Sequence, residues 1–203
     1  MTKIINAKKK LSRKLGVNLW GRPNDTFLKR NYRPGQHGTI QRRPTTHSIH
    51  LQAKQKIRTY YNMLEKQFKN LFIKSAKMKG DRAENFAGAL ESRLDMIVFR
   101  ANFAPTIFAA RQLVSHKHIL VNGKKVNIAS YSVKPGDVVE VVEKSKGMAM
   151  IIESLQKMER DVPAYLDLNK EKMTIKYLNI PKIADIPYPF EPEYSLIVEM
   201  YSR

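Results

Sequence analysis

The Asn122-Gly123 pair restricts what this chain can fold into more than any other two residues. Both central positions of a type I′ turn need positive φ, which Asn and Gly reach at little steric cost, so Asn-Gly between apolar runs closes a hairpin. Before it, His118, Ile119, Leu120 and Val121 read as a strand. Earlier still, Ile107, Phe108, Ala110, Leu113 and Val114 recur at helical spacing, with Thr106 as N-cap, and that helix runs out over Ser115, His116, Lys117 and His118. Lys124 and Lys125 follow the turn at once, so the hairpin carries charge at its tip. A second turn at Lys134-Pro135-Gly136-Asp137 opens a strand of Val138, Val139, Glu140, Val141 and Val142. Such a module can bury its own apolar residues and leave a donor-rich edge for a polyanion.

Charge says which partner that edge meets. The 203 residues hold 37 Lys and Arg against 18 Asp and Glu, a formal charge of +19. That excess repels itself in the compact state until a polyanion neutralises it, so nucleic acid is the leading partner. Residues 1–58 contain fifteen cations and one acid, Asp25, whereas residues 147–203 contain seven cations and nine acids. The polyanion therefore faces the first two-thirds, and the last third faces protein or solvent. Cysteine is absent, which excludes disulfides and thiolate metal sites and suits a reducing compartment. No apolar run approaches the about twenty residues of a membrane span, and no apolar stretch follows the basic start as a secretory signal requires. The first twenty residues, acid-free up to Trp20, also resemble a mitochondrial presequence, but the same composition continues to Arg58, past any usual transit peptide.

Glycine and proline (Gly16, Gly21, Pro23, Pro34, Gly35, Gly38, Pro44) break all periodicity up to Thr46, which predicts an irregular extension without a core of its own. Lys10, Arg13 and Lys14 in one fragment, and Arg33, Gly35, His37 and Gly38 in another, combine cations with glycines that let backbone approach phosphate. Between His47 and Lys79, Leu51, Ile57, Tyr60, Tyr61, Leu64, Phe68, Leu71, Phe72 and Ala76 predict one or two amphipathic helices ended by Gly80. Lys54, Lys56 and Arg58 lie on the other faces, open to RNA or to solvent. One further helix is expected from Arg82 towards Arg100, stopped by Pro105, and another over Met148, Ile151, Ile152, Leu155 and Met158 before Pro163. A proline-rich tail then leads to a strand-like run from Ser195 to Tyr201.

Catalytic and metal constellations are weak. His116 and His118 flank Lys117, but no Cys, Asp or third His stands beside them and their directions diverge, so phosphate or ribose contact fits better than a metal. His37, His47 and His50 lack carboxylate or thiolate company in the same way. Arg93-Leu94-Asp95 matches the triplet that holds the catalytic aspartate of pseudouridine synthases, yet a continuing apolar stripe, Met96 to Phe99, follows it where those enzymes turn. Asp95 is expected to pair with a neighbouring cation.

The blocks LSRKLGVNLWG (11–21), NYRPGQHG (31–38), KQKIRTYY and LEKQF (54–68), LESRLD (90–95), ARQLVSHKHILVNGKKVNIASYSVKPGD (110–137) and the terminal LIVEMYS together resemble the bacterial-type small-subunit ribosomal protein S-four family over essentially the full length. APTIFAARQLVSH and IPYPFEPE are most similar to alphaproteobacterial or mitochondrial members. The resemblance implies an α+β fold: a basic arm over 1–46, a mainly helical domain of 47–93 and 161–203, and an inserted small α-L type RNA-binding domain over 94–160. It implies a structural constituent of the small ribosomal subunit, in a bacterial cytoplasm or mitochondrial matrix, with no enzymatic activity, cofactor, metal, membrane or small-molecule substrate. Its partners would be the 5′-domain junction of small-subunit rRNA, whose folding it nucleates, messenger RNA at the entry channel, and ribosomal proteins S-five and S-three. The S-five interface would bear on translational accuracy.

Carried onto this sequence, the rRNA-facing rim comprises Arg111, Gln112, Ser115, His116, Lys117, His118, Asn122, Gly123, Lys124 and Lys125, with Arg93 and Arg100 as helix cations. Lys10, Arg13, Lys14, Arg33, Gly35, His37 and Gly38 match the arm, Lys54, Lys56 and Arg58 the helix behind it, and Arg42 and Arg43 the approach of messenger RNA. Ile107, Ala109, Ser48-Ile49-His50 and Asp81-Arg82-Ala83-Glu84 depart from the family pattern. A free RNA-binding regulator or rescue factor built on the small domain, and a pseudouridine synthase, are the competing readings.

Overall fold

The computed structural model describes residues 7–40 and 43–202. The chain divides into two compact units, Met1–Ile73 with Tyr188–Arg203, and Lys74–Pro187.

The first unit is helical. Its segment up to Ile40, expected to be irregular, contains α1 (Lys8–Leu15) and the short α2 (Thr26–Lys29). Leu15 and Leu19 are buried, and the carboxylate of Asp25 accepts from Ser12 Oγ (2.8 Å) and, as the N-cap of α2, from Phe27 N (2.9 Å). One acid thus pins two short helices that charge patterning alone could not predict. Two helices follow, α3 (Thr46–Tyr60), capped by Thr45, and α4 (Glu65–Ser75). The last element of the chain, α9 (Tyr194–Ser202), is a helix packed on α3, not the strand expected there. Leu196, Ile197 and Val198 read as strand in isolation, but an isolated run has no strand partner, while a helix sends Tyr194 and Ile197 together into the core. Tyr60, Tyr61, Tyr188 and Phe190 pack edge-on behind it, and the hydroxyls of Tyr61, Tyr188 and Tyr194 form a chain of hydrogen bonds.

The second unit is α+β. Asp81 caps α5 (Arg82–Glu91) by accepting from Ala83 N and Glu84 N. The single helix expected up to Arg100 is instead two, because Ser92 ends α5 and Arg93 is extended before α6 (Leu94–Arg100). No glycine or proline marks this break; tertiary bonds make it. Val133 N donates to Ser92 O (2.8 Å) and Leu94 N to Tyr131 O (2.9 Å), so the loop after the hairpin takes the place of helical partners. Thr106 caps α7 (Ile107–Ser115) through Ala109 N, as expected. Strands β1 (Ile119–Val121), β2 (Lys124–Lys125) and β3 (Val138–Val141) come next, then α8 (Ala149–Lys157), β4 (Leu166–Asn169) and β5 (Thr174–Tyr177). All pairings are antiparallel in the order β2-β1-β3-β5-β4.

The turn between β1 and β2 has Asn122 at φ 49° and Gly123 at φ 76°, the two positive values a type I′ turn demands. In register, Ile119, Val121, Val139, Val141, Ile175 and Tyr177 face one side and are buried, while Leu120, Lys125, Glu140 and Lys176 alternate outward. The expected division assigned 161–203 to the helical part. Here β5 pairs with β3 at Val138↔Lys176, so residues up to Pro187 complete the sheet's own unit, and only Tyr188 onward returns to the first.

Candidate nucleic-acid interface

Three of the expected RNA-binding cations point inward. Arg93 is 4 % exposed and grips Asp95 through two bonds, Nε to Oδ1 (3.0 Å) and Nη2 to Oδ2 (2.7 Å). Arg100 does the same with Glu91 (3.0 and 2.8 Å) and also donates to Pro187 O (2.8 Å), and Tyr165 donates to the same carboxylate. Lys54 is buried against Glu65 at 2.6 Å. These are forked or desolvated pairs whose charge is already matched, and a polyanion cannot reach them. Sequence supplies the charge of a residue but not its direction, so only the fold separates them from surface cations. Asp95, expected to pair with a nearby cation, does so and is fully buried, out of reach of any flipped base.

Lys56 and Arg58 are half-buried on α3. Lys56 donates to Glu193 (3.1 Å), and Arg58 to Gln55 (2.6 and 2.9 Å) and Met63 O (3.3 Å). Glu65, between Lys54 and Arg58, shows how tightly this corner is matched. Burial raises its carboxyl pKa, but Lys54 and the Tyr201 hydroxyl more than offset that and leave it below the ordinary value. Tyr201 in turn is raised, by burial first and by Glu65 second.

The remaining expected residues form two exposed sets, one in each unit. On the sheet unit, α7 ends directly into β1, leaving Gln112, His116 and Lys117 exposed at the helix end and Gly123, Lys124 and Lys125 exposed at the hairpin. Lys117 takes φ 64°, turning the chain from helix to strand. His118 is tied by Nδ1 to Ser145 Oγ (2.8 Å) and Ser115 Oγ donates to Arg111 O (2.7 Å), so these two brace the rim from behind. Arg111 is half-buried; burial lowers its pKa, Asp95 opposes that and Arg93 adds to it, though an Arg at this distance from neutrality keeps its charge. Asn122 is exposed but engaged: it donates to Asp137 Oδ1 (2.9 Å) and accepts from Val138 N (2.9 Å), while Asp137 Oδ2 accepts from Lys134 N (2.8 Å). One amide and one carboxylate therefore lock the two turns together, and Asp137, the acid beside this corner of the rim, is taken up by those bonds.

In the first unit Lys10, Lys14, Arg33, Gly35, His37 and Arg43 are exposed, while Arg13 and Gly38 are half-buried; Arg42 lies outside the described residues. Arg13 donates Nε to Tyr32 O (3.1 Å) and Nη2 to Arg33 O (3.4 Å), and its guanidinium carbon sits 4.7 Å from the centre of the Tyr32 ring. Gly38 closes the loop: a Cβ there would lie 1.8 Å from Arg33 O, so no other residue allows this approach. Beside the loop is a groove of about 340 Å³ walled by Arg13, Lys14, Tyr32, Arg33, Ile40 and Gln52 among others. Tyr32, Ile40 and Gln52 were not among the expected site residues, since only the fold brings α3 and this loop to the end of α1. No group of three or more His, Cys, Asp or Glu that could hold a metal occurs among the described residues, and no described helix is long and apolar enough to cross a membrane.

Comparison with known proteins agrees along the whole chain. The family described as ribosomal protein S4/S9 N-terminal domain matches residues 3–91, and the S4 domain family matches residues 92–139. The chain is similar to the small ribosomal subunit protein uS4 of Rickettsia felis (53 % identical), Rickettsia canadensis (54 %) and Rickettsia prowazekii (51 %), each alignment covering all of both chains. With a sheet module whose hairpin lysines are exposed and an α+β fold that carries an S4 domain, the chain belongs to the uS4 family, non-enzymatic structural components of the small ribosomal subunit that bind its RNA.

Proposed function

We propose that this protein grips a folded junction in the 5′ domain of small-subunit rRNA with two cation sets and thereby nucleates the folding of that region. The small module expected over 94–160 supplies one set, Arg111, Gln112, His116, Lys117, Lys124 and Lys125, and the segment before Ile40 supplies the other, Lys10, Arg13, Lys14, Arg33 and His37. The observation that carries this reading is the sorting of charge: cations that could serve the fold are buried on acids, and the rim and arm are left outward. Cations spread along an edge suit recognition by phosphate and shape, because the deep major groove of an RNA helix is closed to side chains. Ser115, His118, Asn122 and Gly123 hold the rim in shape, and Gly35 and Gly38 do so for the arm.

The same reading places Arg43, with Arg42, at the approach of messenger RNA to the entry channel, beside ribosomal proteins S-five and S-three, with the S-five interface bearing on decoding accuracy. Support for this finer layer is family membership and the exposure of Arg43.

The test is filter binding of a 5′-domain rRNA transcript over a range of salt. Lys124→Gln with Lys125→Gln should lower affinity and flatten the log–log salt dependence by about 0.7 to 0.9 for each phosphate no longer neutralised. An unchanged slope removes both residues from the interface.

A further inference from the structure

The groove beside the end of α1 has a lining that phosphate binding alone does not explain. A seat for a phosphate needs cations, and Arg13, Lys14 and Arg33 provide them. It does not need an aromatic ring, an aliphatic wall and an amide, yet Tyr32, Ile40 and Gln52 stand on the same groove. None of its described lining residues carries a carboxylate that would neutralise a metal cation or a basic peptide, and Arg13, Lys14 and Arg33 would repel one.

The Tyr32 ring is also held ready. Arg13 lies over it and bonds the carbonyls of Tyr32 and Arg33, fixing the ring from one side, while the residue as a whole remains 39 % exposed. Ile40, 54 % exposed, offers apolar surface that a soluble chain leaves in water unless something covers it. Single-stranded RNA is recognised by such aromatic faces, on which a splayed base stacks while cations take its phosphate. The volume, about 340 Å³, falls at the small end of ligand clefts, which run from roughly 300 to 1,000 Å³.

We propose that this groove seats one unstacked nucleotide of the RNA, its phosphate on Lys14 and Arg33, its base against Tyr32 and Ile40, and its edge within reach of the Gln52 amide. The proposal rests on the rRNA-binding reading above and sharpens it: the first unit reads an extruded base, whereas the sheet rim follows phosphates.

The full chain and the 5′-domain rRNA transcript test it. Tyr32→Leu should weaken binding by about 5- to 150-fold, the loss of one base–aromatic stack, without altering the salt slope. Tyr32→Phe should bind within about twofold of the parent protein, and Lys14→Gln with Arg33→Gln should flatten the slope. Parent-like binding by Tyr32→Leu overturns the seat while leaving salt-dependent rRNA binding standing. Failure of the parent protein to bind the transcript overturns both readings. Where circular dichroism shows Tyr32→Leu unfolded, ultraviolet cross-linking of the parent complex decides: a nucleotide attached within residues 31–40 at Tyr32 supports the seat, and cross-links confined to other peptides overturn it.

Discussion

The core of the sheet unit and the segment before Ile40 deal with positive charge in different ways. In the sheet unit, cations that face inward meet acids inside the fold, Arg93 on Asp95 and Arg100 on Glu91, and the sheet stands on a continuous apolar core from Phe86 to Tyr177. In the segment before Ile40, the one acid, Asp25, already serves Ser12 and Phe27, so Arg13 turns to carbonyls and a ring instead. Carbonyls accept hydrogen bonds but cancel no charge, so this segment keeps its full cationic excess. The deeply buried cations of the sheet unit are therefore matched by its own acids, whereas the segment before Ile40 leaves its cations unmatched by acids of its own.

That contrast can be broken most directly at its buried end. Glu91→Ala strands Arg100 in the core and removes the acceptor of Tyr165, and should lower stability by about 3–5 kcal/mol, read by urea unfolding. Parent-like stability would mean that the buried pair contributes nothing and that inward cations are not neutralised by the fold. Next in size, Asn122→Ala loses two side-chain bonds and a residue suited to positive φ, for about 2 kcal/mol by the same measurement, with the rRNA salt slope retained because no cation is removed. A changed slope would show that the bonds of Asn122 also keep Lys124 and Lys125 placed on phosphate.

The exposed cations sharpen the other side. Lys10→Gln, Lys14→Gln and Lys124→Gln together should alter unfolding free energy by less than about 0.5 kcal/mol while the rRNA salt slope falls. Smallest is a pH effect at the corner of α3, α4 and α9. The folded state holds the Tyr201 proton that the unfolded chain releases above its ordinary value of 10.0, so stability present below that pH is lost as pH rises through it. Glu65 has the opposite sign: its lowered pKa adds stability above 4.5 that is lost as pH falls through the folded value. Urea unfolding between about pH 8 and pH 11 should show a shallower decline for Tyr201→Phe than for the parent. Equal declines would assign the alkaline loss elsewhere, for instance to Tyr177, whose pKa burial also raises.

Legibility followed range along the chain. The Asn122-Gly123 turn, the Thr106 cap and the helix ending before β1 depend on residues within a few positions of each other, and each formed as expected. The break at Ser92 and Arg93 was hidden because its cause, the bonds to Tyr131 and Val133, lies some forty residues away along the chain. Strands β4 and β5 were missed because Leu166 to Tyr177 is short and weakly patterned, and becomes a pair of strands only against β3. Likewise α9 reads as strand until α3 offers it a groove.

By itself, the sequence determined what depends on composition and near neighbours: a cationic chain without cysteine, a charge-tipped hairpin, and the family to which its ordered blocks point. Tertiary structure alone decided which cations turn inward to acids and which outward, where one helix becomes two, and that Tyr32 and Gln52 share a groove with Lys14. The reason is physical: local conformational preference acts within a turn or two of backbone, whereas burial, ion pairing and the meeting of distant side chains exist only once the chain has folded back upon itself.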